Sequence, residues 1–316
     1  MIDFRYHVVS LSAVFLALAV GVVLGSGPLR TALVTELTNQ TAELKGALGD
    51  SQAETAAAKQ EGLIGEAFVT QASTLLIGDT LKGRNVAVIR LQSPDGPDVA
   101  AVKDLILQAG GTVNANLSIE PAWTDPGQSS FRSALAAQIV VDVVGVDATV
   151  APDRVLAHAL AQTLVPTEFP VGTTPAEGAS ATATAADRAK VLLDLLEGAD
   201  LVTGTVTGSV DSVVFLVGPG PTSADDLAAL SDVYSEIAGT MDAYVGGTVV
   251  AQGPSRDGDL ASTIQVSALL DDNVSTVTDA LNFYGHFTVV LALAQDIKGM
   301  AGHFGYGDNL LLYPGQ

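Results

Sequence analysis

The longest apolar run in the chain lies at its start. From Val8 to Gly25 it reads "VVSLSAVFLALAVGVVLG", 18 residues without a charge. A bilayer span needs about 20 mostly apolar residues, and extension from Tyr6 to Leu29 reaches that length. The pattern predicts a transmembrane anchor over residues 1–27. Arg5 and the terminal amine precede the run, which orients the N-terminus to the cytoplasm and the rest of the chain outside. Arg30 on the far side works against that charge asymmetry, so the N-terminal position of the run carries more of the argument. The competing reading is a cleaved signal peptide, but Val23-Leu24-Gly25 is a poor A-x-A-like site. Ala13, Ala17, Gly21 and Gly25 recur every fourth position on one helix stripe, a pattern that lets two helices approach closely in lipid.

A second helical pattern, without an internal proline, covers residues 28–80. Leu37, Leu44 and Leu48 form a heptad stripe that weakens to Ser51, Thr55 and Ala58. This predicts a helical stalk with a short, weak parallel coiled coil, fewer heptads than a clear coiled coil shows. Anchor and stalk together predict a homodimer.

From residue 81 the period changes. "NVAVIRL" reads as a buried strand, and "TVNANLSI", "DSVVFLVG" and "GGTVVAQG" as further strands. Between and around them, 98–110, 153–164, 186–196, 223–238 and 260–270 read as helices, with another from about His286 to Lys298 stopped by Gly299. Strands alternating with helices predict a layered, mainly parallel α/β domain over 81–298. The Pro, Gly, Ala and Thr-rich stretch 166–187 is expected to be a mobile surface excursion, and 299–316 a glycine-rich C-terminal segment.

Charge and composition narrow the function classes. Lys and Arg number 14 against 35 Asp and Glu, a net charge of −21, so no basic face exists to hold nucleic acid. The absence of cysteine excludes disulfides, iron–sulfur clusters and thiol catalysis. The loop Gly218-Pro219-Gly220-Pro221 follows a strand and precedes a helix, but lacks the G-K-[ST] ending of a phosphate loop. Asp225 and Asp226 put negative charge where a phosphate would sit, and Ser223 with Asp226 reads as a capping box. No G-x-S-x-G elbow occurs, and the histidines are dispersed: His7 falls at the membrane border and His158 among apolar neighbours. Asp271, Asp272, Asn273 and Asp279 lack the central glycine and terminal Glu of a calcium loop and read as a solvated turn. Nothing predicts an enzyme. Met300 and His303, three apart, with His286 earlier in the chain, are candidate copper ligands, since copper accepts thioether and imidazole. The competing reading is a sharply turning segment that lays His303, Phe304 and Tyr306 on the domain.

Three segments together carry a resemblance: "HVVSLSAVFLALAVGVVLGSG" at the start, "NVAVIRLQSPDGPDVAAVKDLILQAGGTV" in the middle, and "STVTDALNFYGHFTVVLALAQDIKGMAGHFGYG" near the end. They resemble the actinobacterial copper transport protein B (MctB) family. The resemblance implies a non-enzymatic envelope protein in copper export and copper homeostasis, with copper as its ligand and an outer mycolic membrane as one location. It also implies a second role, in which relatives are membrane-anchored scaffolds in cell separation that regulate a peptidoglycan hydrolase together with a membrane partner.

Overall fold

A computed structural model describes residues 4–26, 28–94, 96–168, 184–305 and 310–311. The chain divides into two compact units, Met1–Val69 and Thr70–Gln316.

The first unit is helical. Helix α1 (Phe4–Ser26) is apolar on every side and has no polar face to turn to water. Its segment Phe4–Val23 has mean hydropathy 2.1 and none of it is buried. Among the described residues it is the helix long and apolar enough to cross a membrane. Lipid covers such a surface at no cost in polar groups, because an α-helix satisfies its own backbone. Helix α2 (Pro28–Ile77) follows and is continuous for 50 residues. Its threonines close on their own backbone: Thr38 Oγ1 donates to the Val34 carbonyl and Thr41 Oγ1 to that of Leu37. Leu37, Leu44 and Leu48 are exposed, and so is a second stripe, Ile64, Phe68 and Leu75, that the heptad reading did not anticipate.

The second unit is a layered α/β sheet. Its strands are β1 (Asn85–Leu91), β2 (Thr112–Ile119), β3 (Val202–Val206), β4 (Ser212–Val217), β5 (Thr248–Gln252), β6 (Ser275–Val277) and β7 (His303–Phe304). Among the described residues they form one sheet in the order β3-β2-β1-β4-β5-β6-β7. All neighbouring pairs are parallel except β2 and β3. Strands β1, β4 and β5 bury nearly every residue, as expected where helices cover both faces.

The helices form two layers. Helix α3 (Gly96–Gln108) packs beside α9 (Phe283–Asp296) on one face. On the other, α5 (Pro152–Leu164) touches α4 (Ser129–Ile139), α6 (Ala185–Gly198) and α7 (Ala224–Asp242), and α7 touches α8 (Leu260–Gln265). Strand parity assigns the side chains. Ile89, Leu117, Phe215 and Val250 enter the large core under α5, α7 and α8, while their chain neighbours face α3 and α9. His158, in α5, is half-buried, and its Nδ1 lies 2.9 Å from the Tyr244 hydroxyl. Burial holds its pKa below the usual imidazole range, and the nearby Arg154 charge acts in the same direction.

Helix ends follow the chemistry of their caps. Thr184 and Asp187 form a reciprocal capping box at α6. Ser223 caps α7 by accepting from the Asp226 N–H. Asn282 starts α9 three residues earlier than the expected His286, since its Oδ1 accepts from the Tyr284 and Gly285 amides at 3.1 and 3.0 Å. Gly299, at φ +77°, ends that segment in the left-handed conformation expected of it. Two expectations are corrected. Helix α8 ends at Gln265 rather than Leu270, and the Asp271–Asp279 stretch contains strand β6 rather than a turn alone. The expected excursion 166–187 lies for the most part outside the described residues, as does Tyr306.

Candidate functional site

In an open parallel sheet, ligands bind beyond the carboxyl ends of the strands where the strand order reverses. Here that point lies between β1 and β4: β1 leads outward to β2 on one side, and β4 leads to β5 on the other. A crevice of about 530 Å³ opens there, between the loops that follow β1, β4 and β5. Its size falls in the range of small-molecule sites.

The loops meet closely. Gln92 and Ser93, just after β1, both take left-handed conformations, with φ of 55° and 50°. Gly218, just after β4, passes so near the Gln92 carbonyl that a Cβ there would collide with it. Gly220 permits a second close approach: a Cβ would stand 2.6 Å from Gln92 Oε1, 2.9 Å from Leu227 Cδ1 and 3.3 Å from an Arg256 terminal nitrogen. Amide and guanidinium therefore share one side of the crevice. The buried Asp259, which also lines the crevice, caps α8. Its Oδ2 accepts from Gln252 Nε2 at 2.7 Å, from Ser255 Oγ at 3.2 Å and from the Arg256 amide, and its Oδ1 accepts from the Ser262 amide at 2.9 Å.

The proposed copper ligands are not gathered. His303 on β7 pairs with Thr276 on β6, which pairs with Val250 on the α8 face of the sheet. His286 lies on α9, on the opposite face, and its Nε2 is 3.0 Å from Asp98 Oδ1 on α3. Burial depresses the His286 pKa, with Asp98 pulling the other way. Met300 lies in the connection after α9 and is half exposed. Among the described residues, no three His, Cys, Asp or Glu side chains form a metal-binding group.

His303 instead belongs to a chain of hydrogen bonds. Gln265 Nε2 donates to Thr276 Oγ1 at 2.9 Å, leaving the Thr276 hydroxyl to donate to His303 Nδ1 at 2.8 Å. His303 Nε2 donates in turn to Asp271 Oδ1 at 2.9 Å. The ring thus ties β6, β7, α8 and the turn after α8 together, and Phe304 beside it is fully buried. His303→Ala is expected to destabilise the chain by about 1–2 kcal/mol, because two partners lose a hydrogen bond in a partly buried setting. Thermal unfolding of the full chain in detergent micelles measures it. An unchanged melting temperature would mean the ring is an ornament of the edge strand.

The stripe residues Ala13, Ala17, Gly21 and Gly25 all lie on α1 and are exposed. A Cβ added at Gly21 or Gly25 would meet nothing within 4 Å in the single chain.

Comparison with known proteins covers almost the whole chain. The family described as "Copper transport outer membrane protein, MctB" matches residues 1–311. The chain belongs to the MctB family. Its relatives include the protein named "Copper transporter MctB" of Mycobacterium tuberculosis strain H37Rv, 29% identical over 97% of both chains, and its namesake from Mycobacterium bovis, at the same identity and coverage. The Mycobacterium leprae protein of that name is 35% identical over 141 residues, 44% of each chain. For this MctB-family chain, sequence motifs missed the crevice, since Gln92, Gly220 and Arg256 match no fingerprint. The "GPGP" loop after a buried strand is the sequence signal that marks it, and its residues lack the pattern of a phosphate loop.

Proposed function

We propose that this member of the MctB family is a membrane-anchored, non-enzymatic protein of the cell envelope that acts in copper homeostasis. The observation that carries the reading is the family match over residues 1–311, which includes both the apolar α1 and the whole sheet. The names of the relatives supply the copper. Arg5 before the span supports an orientation with the N-terminal side in the cytoplasm and the sheet domain outside. A non-enzymatic role is inferred from a sequence without a nucleophile elbow, a phosphate loop or cysteine. A single helix cannot form a pore, so any passage of copper would need an assembly or a membrane partner. A strain lacking the gene tests the reading: it is expected to lose growth at copper levels its parent tolerates.

Assembly is part of the proposal. The small-residue stripe of α1 and the exposed Leu37, Leu44 and Leu48 of α2 suit a parallel homodimer, each contact weak alone. Linked on one chain, the second contact forms at an effective concentration of about millimolar, so the two reinforce each other. Gly21→Leu with Gly25→Leu is expected to lower crosslinking through a cysteine placed at Thr41. In the single chain a Cβ at either position meets nothing within 4 Å, so a loss of crosslinking would point to a partner helix. Undiminished crosslinking would refute the stripe as an interface.

A second reading, a scaffold in cell separation that regulates a peptidoglycan hydrolase with a membrane partner, draws support from the exposed stripe Ile64, Phe68 and Leu75. The same deletion strain separates the two, since chained cells with normal copper tolerance would favour the scaffold.

A further inference from the structure

We infer that the crevice at the strand-order reversal binds an N-acylated amino acid with an apolar side chain, either free or as the last residue of a peptide. Three features of the crevice specify this chemistry, and none depends on copper.

The first is charge. Arg256 stands at the mouth, where one terminal nitrogen donates to the Pro221 carbonyl at 3.2 Å and so holds the guanidinium beside Gly220. Among the described residues it has no ion-pair partner. A planar guanidinium is the natural receptor for a carboxylate. Phosphates are disfavoured because the two helix starts that flank the crevice are already capped, by Ser223 and by Asp259, and α7 carries Asp225 and Asp226 in its first turn.

The second is an unanswered acceptor. Gln92 Oε1 is buried and accepts no hydrogen bond. Leaving such an oxygen unpaired is costly, and a turn of the Gln92 side chain toward the crevice would present it to a ligand N–H on the same side as the carboxylate. An acylated amino acid carries its N–H one carbon from its carboxylate. A free amino acid would bring an ammonium instead, and the carboxylate that lines the crevice is Asp259. The four hydrogen bonds that Asp259 accepts leave that carboxylate committed to the protein.

The third is the wall. Leu227, Leu260 and Leu281 line the crevice together with the loop prolines, a surface for an apolar side chain.

The test uses the full chain in detergent micelles and saturation-transfer NMR. N-acetylleucine and the peptide acetyl-Gly-Gly-Leu are the positive probes, and preference between them tells a free ligand from a chain end. Leucine, N-acetylleucinamide and phenyl phosphate are the controls. The expected result is saturation of the leucine methyls for the acetylated acids alone, with affinity about tenfold weaker in Arg256→Gln. Gly220→Leu, whose side chain must displace Gln92 and Leu227 from their places on the crevice wall, is expected to abolish the signal. If the variants misfold, the probe series still decides, because the neutral amide differs from the acid only in charge. Equal transfer to acid and amide, undiminished binding in Arg256→Gln, or no binding at about 5 mM probe would overturn the inference.

Discussion

Replacing Asp296 with alanine is expected to lower the stability of the sheet domain by about 3–5 kcal/mol, the largest effect of any single substitution outside the apolar core. Asp296 is the last residue of α9 and is 5% exposed. Its Oδ1 accepts from the Thr248 amide at 3.0 Å, at the first residue of β5. Its Oδ2 accepts from the Ser275 amide at 3.1 Å and from the Ser275 hydroxyl, at the first residue of β6. One carboxylate thus ties two strand starts to the helix that covers them, and alanine leaves two amides and a hydroxyl without an acceptor in the interior. For a domain of this size the melting temperature should fall by roughly 10 °C. Asp296→Asn keeps the volume but turns a donor toward donors, so it should recover little. Circular dichroism of the full chain in micelles measures both, and a melting temperature within a degree or two of the parent would refute the clamp.

The same corner of the domain adds a pH dependence. Burial pushes the Asp242 carboxyl, at the end of α7, up from 3.8 to about 6, and the charge of Asp296 acts in the same direction. Between those values the folded chain keeps a proton that the unfolded chain has lost. This contribution to stability is therefore full below pH ~4, falls as pH rises toward 6, and stays flat above it. Asp242→Asn should remove that fall.

Deleting residues 1–27 is expected to move the protein completely from the membrane pellet to the supernatant. Helix α1 exposes Val9, Leu16, Val23 and their neighbours on all sides, and no described residue covers them. A span of this length inserts in effect irreversibly, unlike a surface-bound amphipathic helix. The full chain should accordingly resist carbonate extraction, and the shortened chain should need no detergent. Release of the full chain by carbonate, or retention of the shortened one, would contradict a spanning anchor.

How much of this was legible in the sequence varied with the kind of signal. Strands β1, β4 and β5 were readable because parallel strands buried on both faces leave continuous apolar runs, and β2 because Val113, Ala115, Leu117 and Ile119 alternate with polar residues. Strand β3 was not, since "VTGTV" is an exposed edge whose register depends on Gly204, at φ +142°, where a Cβ would meet the Asn116 carbonyl. Strands β6 and β7 are three and two residues long, set within an acidic run and a glycine-rich tail whose composition speaks for turns. Helix α4, with its short "SSFRSALAAQI", carries too few apolar positions for a clear helical period. The candidate copper ligands show a different limit. Sequence spacing could relate Met300 to His303, but only the pairing of β6 with β7 reveals that His303 and His286 occupy opposite faces. The crevice was least legible, because Gln92, Gly220 and Arg256 come from three loops that only the strand order brings together.

The central claim is an anchored envelope protein acting on copper, and cell-associated copper measures it most directly. After copper challenge, a strain lacking the gene is expected to hold several times more copper than its parent. Complementation with the full chain should restore the parental level, and complementation with residues 28–316 kept inside the cytoplasm should not. Equal copper content in the deletion strain and its parent, under a challenge that slows the growth of both, would contradict the account.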